Sequence, residues 1–389
     1  MRSALAILLL ATAFAASLAA QVTCRDCANQ GTLPCTKHGK KDEVEREREQ
    51  NGTLFCSVVA DCKACAGALA VDCKHCRNES AEQALAARQQ LVADWRAERR
   101  RAVVDPIGEP KTSPLFLRTP HCELTLSIKS LTVGKKKFDT HDLLHLYGQR
   151  IEELRALFVA TFELTDADLP GVLSVFVFQD AEDHKLLCPQ VTGIGGGGNR
   201  VKLMGVPCVL CMWHDKRDAV DDEALHRQIV HNVTHLLFSN MTPSYWIGNR
   251  KHGWVDAGVA HWFEDKVTGK CANFCHDELL LQHGASFKGG LWRPPVRKLV
   301  DAGTVLPFAE LSTRNTDQLT FEEHAIAFAY VDFLLSVHGG AKFRAFAGQL
   351  KDKVPTRDAL QNTYGLNPLN IDGMFQEWVK ENYSPLVRR

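Results

Sequence analysis

His231 and His235 stand four residues apart, and that spacing constrains this chain more than any other feature. On an α-helix, residues four apart differ by about 40° around the axis, so both imidazoles can reach one metal ion. The residue between them that matters most is Asn232, directly after the first histidine. Its amide takes up no proton near neutral pH, so it cannot act as a general base. The segment therefore predicts a helix carrying a two-histidine metal position with no proton acceptor beside it.

A second segment lies downstream: Gly253-Trp254-Val255-Asp256-Ala257-Gly258-Val259-Ala260-His261-Trp262-Phe263-Glu264. It resembles the stretch W-L-x-E-G-x-A-x-[YW]-F-E of peptidase MA-like (gluzincin) proteins, and His231–His235 resembles their H-E-x-x-H helix. Trp254, Gly258, Ala260, Trp262, Phe263 and Glu264 match. The resemblance implies that Asn232 replaces the catalytic glutamate and Ala257 replaces the third zinc ligand. It leaves His231 and His235 as a residual metal pair. Asp256 and His261 are the possible substitute ligands, His261 being four residues from Ala257 on one helix face and Asp256 rotated about 100° away. Glu264, about two turns beyond Ala257, is expected to pack or cap.

The elements around these motifs are similar in order to the same family from about Thr112 to the C-terminus. A long amphipathic helix is expected over Thr140–Phe162, with strands at Cys122–Lys129, Val172–Phe178, Val201–Met204 and Cys208–Trp213. Helices follow, among them His324–Leu335 and a last one near Met374–Val379. The implied class is α+β: a gluzincin-like domain with a small mixed sheet and a helical C-terminal half, preceded by a small Cys-rich module.

Residues 1–20 read as a secretory signal: Arg2, an apolar core from Ala4 to Ala16, then Ser17-Leu18-Ala19-Ala20. The core is shorter than the roughly 20 residues that span a bilayer, so a cleaved peptide and a secreted or periplasmic protein are expected, with no transmembrane segment thereafter. Lys+Arg and Asp+Glu both number 46, and 8% of residues are aromatic. That balance points away from nucleic acid, which calls for a basic surface with stacking rings.

Fourteen cysteines in an exported chain invite disulfides. Their spacing also suits zinc. Cys24-x2-Cys27 precedes Cys35-x2-His38, and Cys62-x2-Cys65 precedes Cys73-x2-Cys76. Each C-x2-C offers two thiolates from one turn, and two such turns complete a tetrahedral site. The first set resembles the Cys-rich knots of DnaJ-type zinc modules, with Gly31 at the turn. Structural zinc on Cys24, Cys27, Cys35, His38, Cys62, Cys65, Cys73 and Cys76 and a pair of disulfide-stapled loops both stand as expectations. Cys271 and Cys275 flank a short turn that they can bridge or close. Cys208 and Cys211 are expected on opposite faces of a strand. Cys122 and Cys188 are expected to be buried or paired.

The expected organisation is a signal (1–20), a Cys-rich module (21–78), a helical linker (79–111) broken by Pro106, Gly108 and Pro110, and the gluzincin-like domain (112–389). The Gly193–Asn199 run lacks the Gly-Lys-Ser/Thr ending of a phosphate loop and reads as a connection between elements. The leading functional expectation is an exported pseudopeptidase that binds protein or peptide. The alternatives are an active metallopeptidase with unorthodox ligands and a structural envelope protein.

Overall fold

The computed structural model describes residues 23–37, 55–56, 61–76 and 78–386, apart from positions 109, 170, 195–197, 206, 218, 276–277 and 279–286. The signal segment, His38 and the charged residues that follow it to Gln50 lie outside the described residues. The fold is mixed α+β, and its organising element is a sheet that is apolar on both faces.

Near the N-terminus, β1 (Thr32–Pro34) pairs antiparallel with β3 (Ala70–Asp72). The short strand β2 (Phe55–Cys56) instead joins the main sheet beside β4 (Leu115–Arg118). Leu69 likewise packs into the main core, so the Cys-rich stretch is tied to the sheet rather than hanging from the linker. Helix α1 (Glu79–Arg99) starts where the Asn78 side chain accepts from the Ala81 amide, with Glu79 and Glu82 in its first turn and Arg96 and Arg99 in its last. Both charge placements complement the helix dipole.

The main sheet has the order β2-β4-β5-β8-β10-β9. Its further strands are β5 (Cys122–Leu126), β8 (Leu173–Phe178), β9 (Arg200–Leu203) and β10 (Cys208–Trp213). β5, β8 and β10 run parallel, while β4 and β9 pair antiparallel outside them. A separate hairpin, β6 (Ser130–Val133) with β7 (Lys136–Asp139), leads into α2 (Thr140–Phe162). The Asp139 side chain caps α2 by accepting from Asp142 N.

Strand periodicity decides what each face buries. Val175 and Val177 of β8 and Leu210 and Met212 of β10 enter the large core under α2 and the C-terminal helices. Phe176 and Phe178 alternate with them, as do Val209 and Cys211, and enter a smaller core covered by α1 and α3 (Ala181–Thr192). Cys208 and Cys211 accordingly lie on opposite faces.

Beyond the sheet the described chain is helical: α4 (Asp222–Asn240), α5 (Gly253–Thr268), α6 (Arg293–Ala302), α7 (Phe321–His338), α8 (Gly340–Lys351), α9 (Thr356–Tyr364) and α10 (Ile371–Asn382), with short turns between them. Helix α5 is wedged between α4 and α7. A Cβ at Gly258 would lie 2.7 Å from the Ala327 carbonyl oxygen, so this crossing needs glycine. None of these described helices is long and apolar enough to cross a membrane.

Candidate metal centre

Helix α4 forms because its ends are satisfied and its body is apolar. The Asp221 side chain accepts from Ala224 N, Asp222 and Glu223 occupy the first turn, and every residue from Gln228 to Asn240 is buried. At the far end Lys351 of α8 donates to the carbonyls of Phe238 and Met241, supplying donors where the helix has none left to give. This fixes both ends of the rod that carries His231 and His235.

The two imidazoles lean together, with their Nε2 atoms 3.3 Å apart. A carboxylate closes the gap. Glu278 Oε2 lies 3.0 Å from His231 Nε2, and Glu278 Oε1 lies 3.2 Å from His235 Nε2. Cys275 Sγ sits 3.9 Å from His235 Nε2. All four donor atoms fall within 4.8 Å of one another, and all four residues are buried. Around a tetrahedral ion with bonds of about 2.0–2.3 Å, neighbouring donors sit roughly 3.3–3.7 Å apart. The observed spacings bracket that range, so His231, His235, Cys275 and Glu278 can hold a metal ion.

Behind each ring stands a second carboxylate. Asp256 Oδ2 is 3.2 Å from His235 Nδ1 and also accepts from Trp246 Nε1 at 3.0 Å. Glu264 Oε2 is 3.2 Å from His231 Nδ1. Carboxylates placed there fix the tautomer that turns Nε2 toward the shared point, the usual support of a metal-binding histidine. Glu264 also holds the loop that delivers the other two donors, accepting from Ala272 N at 2.7 Å and from Asn273 Nδ2 at 2.7 Å. Within that loop Cys275 N donates to Glu278 Oε2 at 2.7 Å, so the C-x2-E turn orients its own carboxylate.

The electrostatics favour positive charge at the two rings. Burial disfavours charge on His231, but Glu278, Cys275 and Glu264 outweigh it and hold its pKa at about 10. Burial is likewise overcome at His235, mainly by Asp256, which holds the imidazole well above its usual range. Burial would raise Glu278, yet the two histidines keep it well below the ordinary carboxylate range. The Cys275 thiol, pushed up by burial and Glu278, is brought below its ordinary value by Lys202 and the histidines. Protons and a metal ion therefore compete for the same donors.

Asn232 takes no part in this cluster. Its Nδ2 donates to the Gln228 carbonyl at 2.8 Å, and its Oδ1 accepts from Lys202 Nζ at 3.0 Å. Lys202 comes from β9, the edge strand. The position after the first histidine is thus neutral, and a lysine from the sheet edge lies against it.

Two sequence expectations need correction here. The pocket is not stripped of acidic ligands, because Glu278 stands 47 residues beyond His231 and faces both rings. Asp256 lies on the Nδ1 side of His235, and His261 Nδ1 is 3.6 Å from Glu264 Oε2 while its Nε2 meets His324 Nδ1 at 3.2 Å. With Glu264 and His231, His261 makes a second tight group behind the first. Ala257 is fully buried and contributes a methyl to the main core. Cys271 and Cys275 do not bridge. Cys271 Sγ donates to the His261 carbonyl at 3.3 Å, and both are free thiols. The sequence signal for the missed donors is the spacing Cys275-x2-Glu278, which means nothing until the loop after α5 is placed over α4.

The N-terminal cysteines form two further groups: Cys24, Cys27 and Cys73, and Cys35, Cys62 and Cys65. Each group can hold a metal ion. The partners differ from the sequential sets, in which Cys24 and Cys27 were to join Cys35. Strand pairing is the reason. Antiparallel β1 and β3 place Gly31, entering β1, beside Cys73, leaving β3 (Cys73 N to Gly31 O, 2.9 Å). They likewise place Cys35 beside Leu69 (Cys35 N to Leu69 O, 3.0 Å). Each C-x2-C turn is closed by the same bonds, Ala28 N to Cys24 O at 2.8 Å and Ala66 N to Cys62 O at 2.7 Å. Cys76 interacts with Cys27 of the first group, while His38 lies outside the described residues. The described cysteines whose side chains are placed are free thiols.

Comparison with protein-family models and with curated proteins finds no match.

Proposed function

We propose that the chain is an exported pseudopeptidase: a gluzincin-type fold whose hydrolytic site has become a closed zinc centre, kept as a rigid platform for binding protein or peptide. The observation that carries this reading is the completeness of the donor set. Catalytic zinc keeps three protein ligands and an open position for water, whereas structural zinc is enclosed by four. Here His231, His235, Cys275 and Glu278 make four, each at most 7% exposed. The state of Asn232 supports the same conclusion, since hydrolysis needs a group that accepts a proton from water and passes it on. An amide bound at both ends by Gln228 and Lys202 does neither.

When bound, zinc would supply a cross-link between α4 and the loop after α5. The chain's own residues orient it: Asp256 and Glu264 hold the rings, and the Cys275 turn holds Glu278. Recognition of protein or peptide falls to the surface, where β9 leaves one edge of the main sheet unpaired among the described strands. An edge of this kind bonds an extended segment through its backbone and needs no catalytic residue. The segment 1–20 supports export, and the cysteine clusters of residues 24–76 support zinc-held assembly at the N-terminus.

The test uses the full mature chain. It should carry one zinc equivalent that is lost in both Glu278→Ala and Cys275→Ala, and should cleave no peptide in a fluorogenic library with or without added zinc. Turnover that disappears on chelation and in Glu278→Ala would establish an active hydrolase instead.

A further inference from the structure

The smaller core contains a polar cluster that neither the α4 centre nor the N-terminal knuckles use. His184 and Cys188 lie one turn apart on α3, and Cys211 lies on β10 opposite them. One ring nitrogen of His184 and the two sulfurs all fall within 4.8 Å of one another. The three residues are 3%, 3% and 0% exposed.

Either cysteine alone would be an ordinary core residue, since free thiols behave as small hydrophobes. The imidazole is different. A buried histidine must have both ring nitrogens satisfied, and this one has His184 Nε2 3.3 Å from the Cys211 carbonyl oxygen. Donation to that carbonyl leaves Nδ1 with its lone pair. The ring also hydrogen-bonds the Cys188 thiol, and a histidine oriented by a backbone carbonyl is the form found in metal sites.

We infer that His184, Cys188 and Cys211 form a further metal site, which takes a thiophilic divalent ion of the zinc type. Spacing i, i+4 on α3 presents the imidazole and one thiolate together, and the inward parity of β10 presents the second thiolate. On binding, both thiol protons leave to solvent, and two thiolates neutralise a divalent ion, so no net charge is carried into the apolar core. Three protein donors retain zinc when a small ligand such as water fills the fourth position. The location gives the site a purpose. The smaller core is where Val92 and Trp95 of α1 dock on the sheet through Phe176, Phe178 and Val209. It holds far fewer buried side chains than the main core, and a limited core gains most from a cross-link.

The experiment compares zinc equivalents, by elemental analysis, in full-length protein purified with reductant and without chelator. The double variant Cys188→Ala/Cys211→Ala should carry one equivalent less than the parent, with the zinc removed by Glu278→Ala still present. His184→Gln keeps both sulfurs and should show the same loss, which preserves the test if the double variant does not fold. Equal zinc in parent and variants would overturn the inference. So would a Cys188–Cys211 disulfide, read by mass after alkylation of the unfolded, unreduced parent.

Discussion

In residues 24–76 the donors are gathered by turns of a few residues and by two three-residue strands, whereas under α4 they are gathered by the largest core of the molecule. Among the described residues of that stretch, Cys27, Cys35, Cys65, Ala68, Leu69 and Cys73 are the buried apolar ones. Bringing several thiolates together there without a cation costs more than the core returns, so folding and metal binding should be one event. Under α4 the rings are held by Asp256 and Glu264, and the surrounding helices pack through their own apolar side chains. The contrast teaches that the same donor chemistry can be the cause of a local fold or a passenger on one.

The largest expected effect separates the two regions. Excess chelator with reductant should unfold the cysteine turns and the β1–β3 pair, where binding of structural zinc is worth on the order of 10 kcal/mol, and leave the helical half folded. Limited proteolysis followed by mass mapping reads this directly. A single loss of protection across the whole chain would break the comparison.

Next comes Glu278→Ala, which leaves two buried imidazoles without their shared carboxylate. A loss of about 3–5 kcal/mol is expected from breaking a buried ionic group, read by denaturant unfolding. An unchanged midpoint would mean that Glu278 does not face the rings. Lys351→Met tests the frame rather than the centre. It removes the donor to the carbonyls of Phe238 and Met241, and about 1–3 kcal/mol should be lost, with metal content unchanged.

A smaller effect concerns pH. Asp222 opens α4 and pairs with Arg150 and Tyr147 of α2 at 2.7 and 2.8 Å. Burial would raise its carboxyl, but Arg150 and Tyr147 outweigh it and hold the pKa below the ordinary value. Its stabilisation is therefore complete above the unfolded carboxylate pKa of about 3.9 and fades as pH falls through the lower folded value. Asp222→Asn should flatten the acid limb of the stability profile below about pH 4, and an unaltered limb would refute the pairing.

The smallest effect is expected from Asn232→Glu. Lys202 stands ready to neutralise the new carboxylate, so no peptide turnover should appear. Turnover in this single variant would show that the site opens to water after all.

Much of the scaffold is legible in the sequence. Helix α2 spans Thr140–Phe162 as its apolar periodicity predicts, and β8 and β10 fall where their apolar runs stand. The opposite facing of Cys208 and Cys211 follows from strand parity alone. The candidate site was legible in half: the two histidines, but neither Cys275 nor Glu278, and the cysteine turns, but not which turn meets which.

By itself the sequence determined what depends on neighbours within a turn or two: the shared reach of His231 and His235, the thiol pairs of each C-x2-C, and the neutrality of the position at Asn232. Tertiary structure alone decided what depends on two distant segments meeting. The packing of α5 against α4 brought Glu278 to the rings, the β1–β3 pairing interleaved the cysteines, and the docking of α3 on β10 set His184 and Cys188 against Cys211. Backbone periodicity fixes direction within one element, and it carries no information about the distance between two.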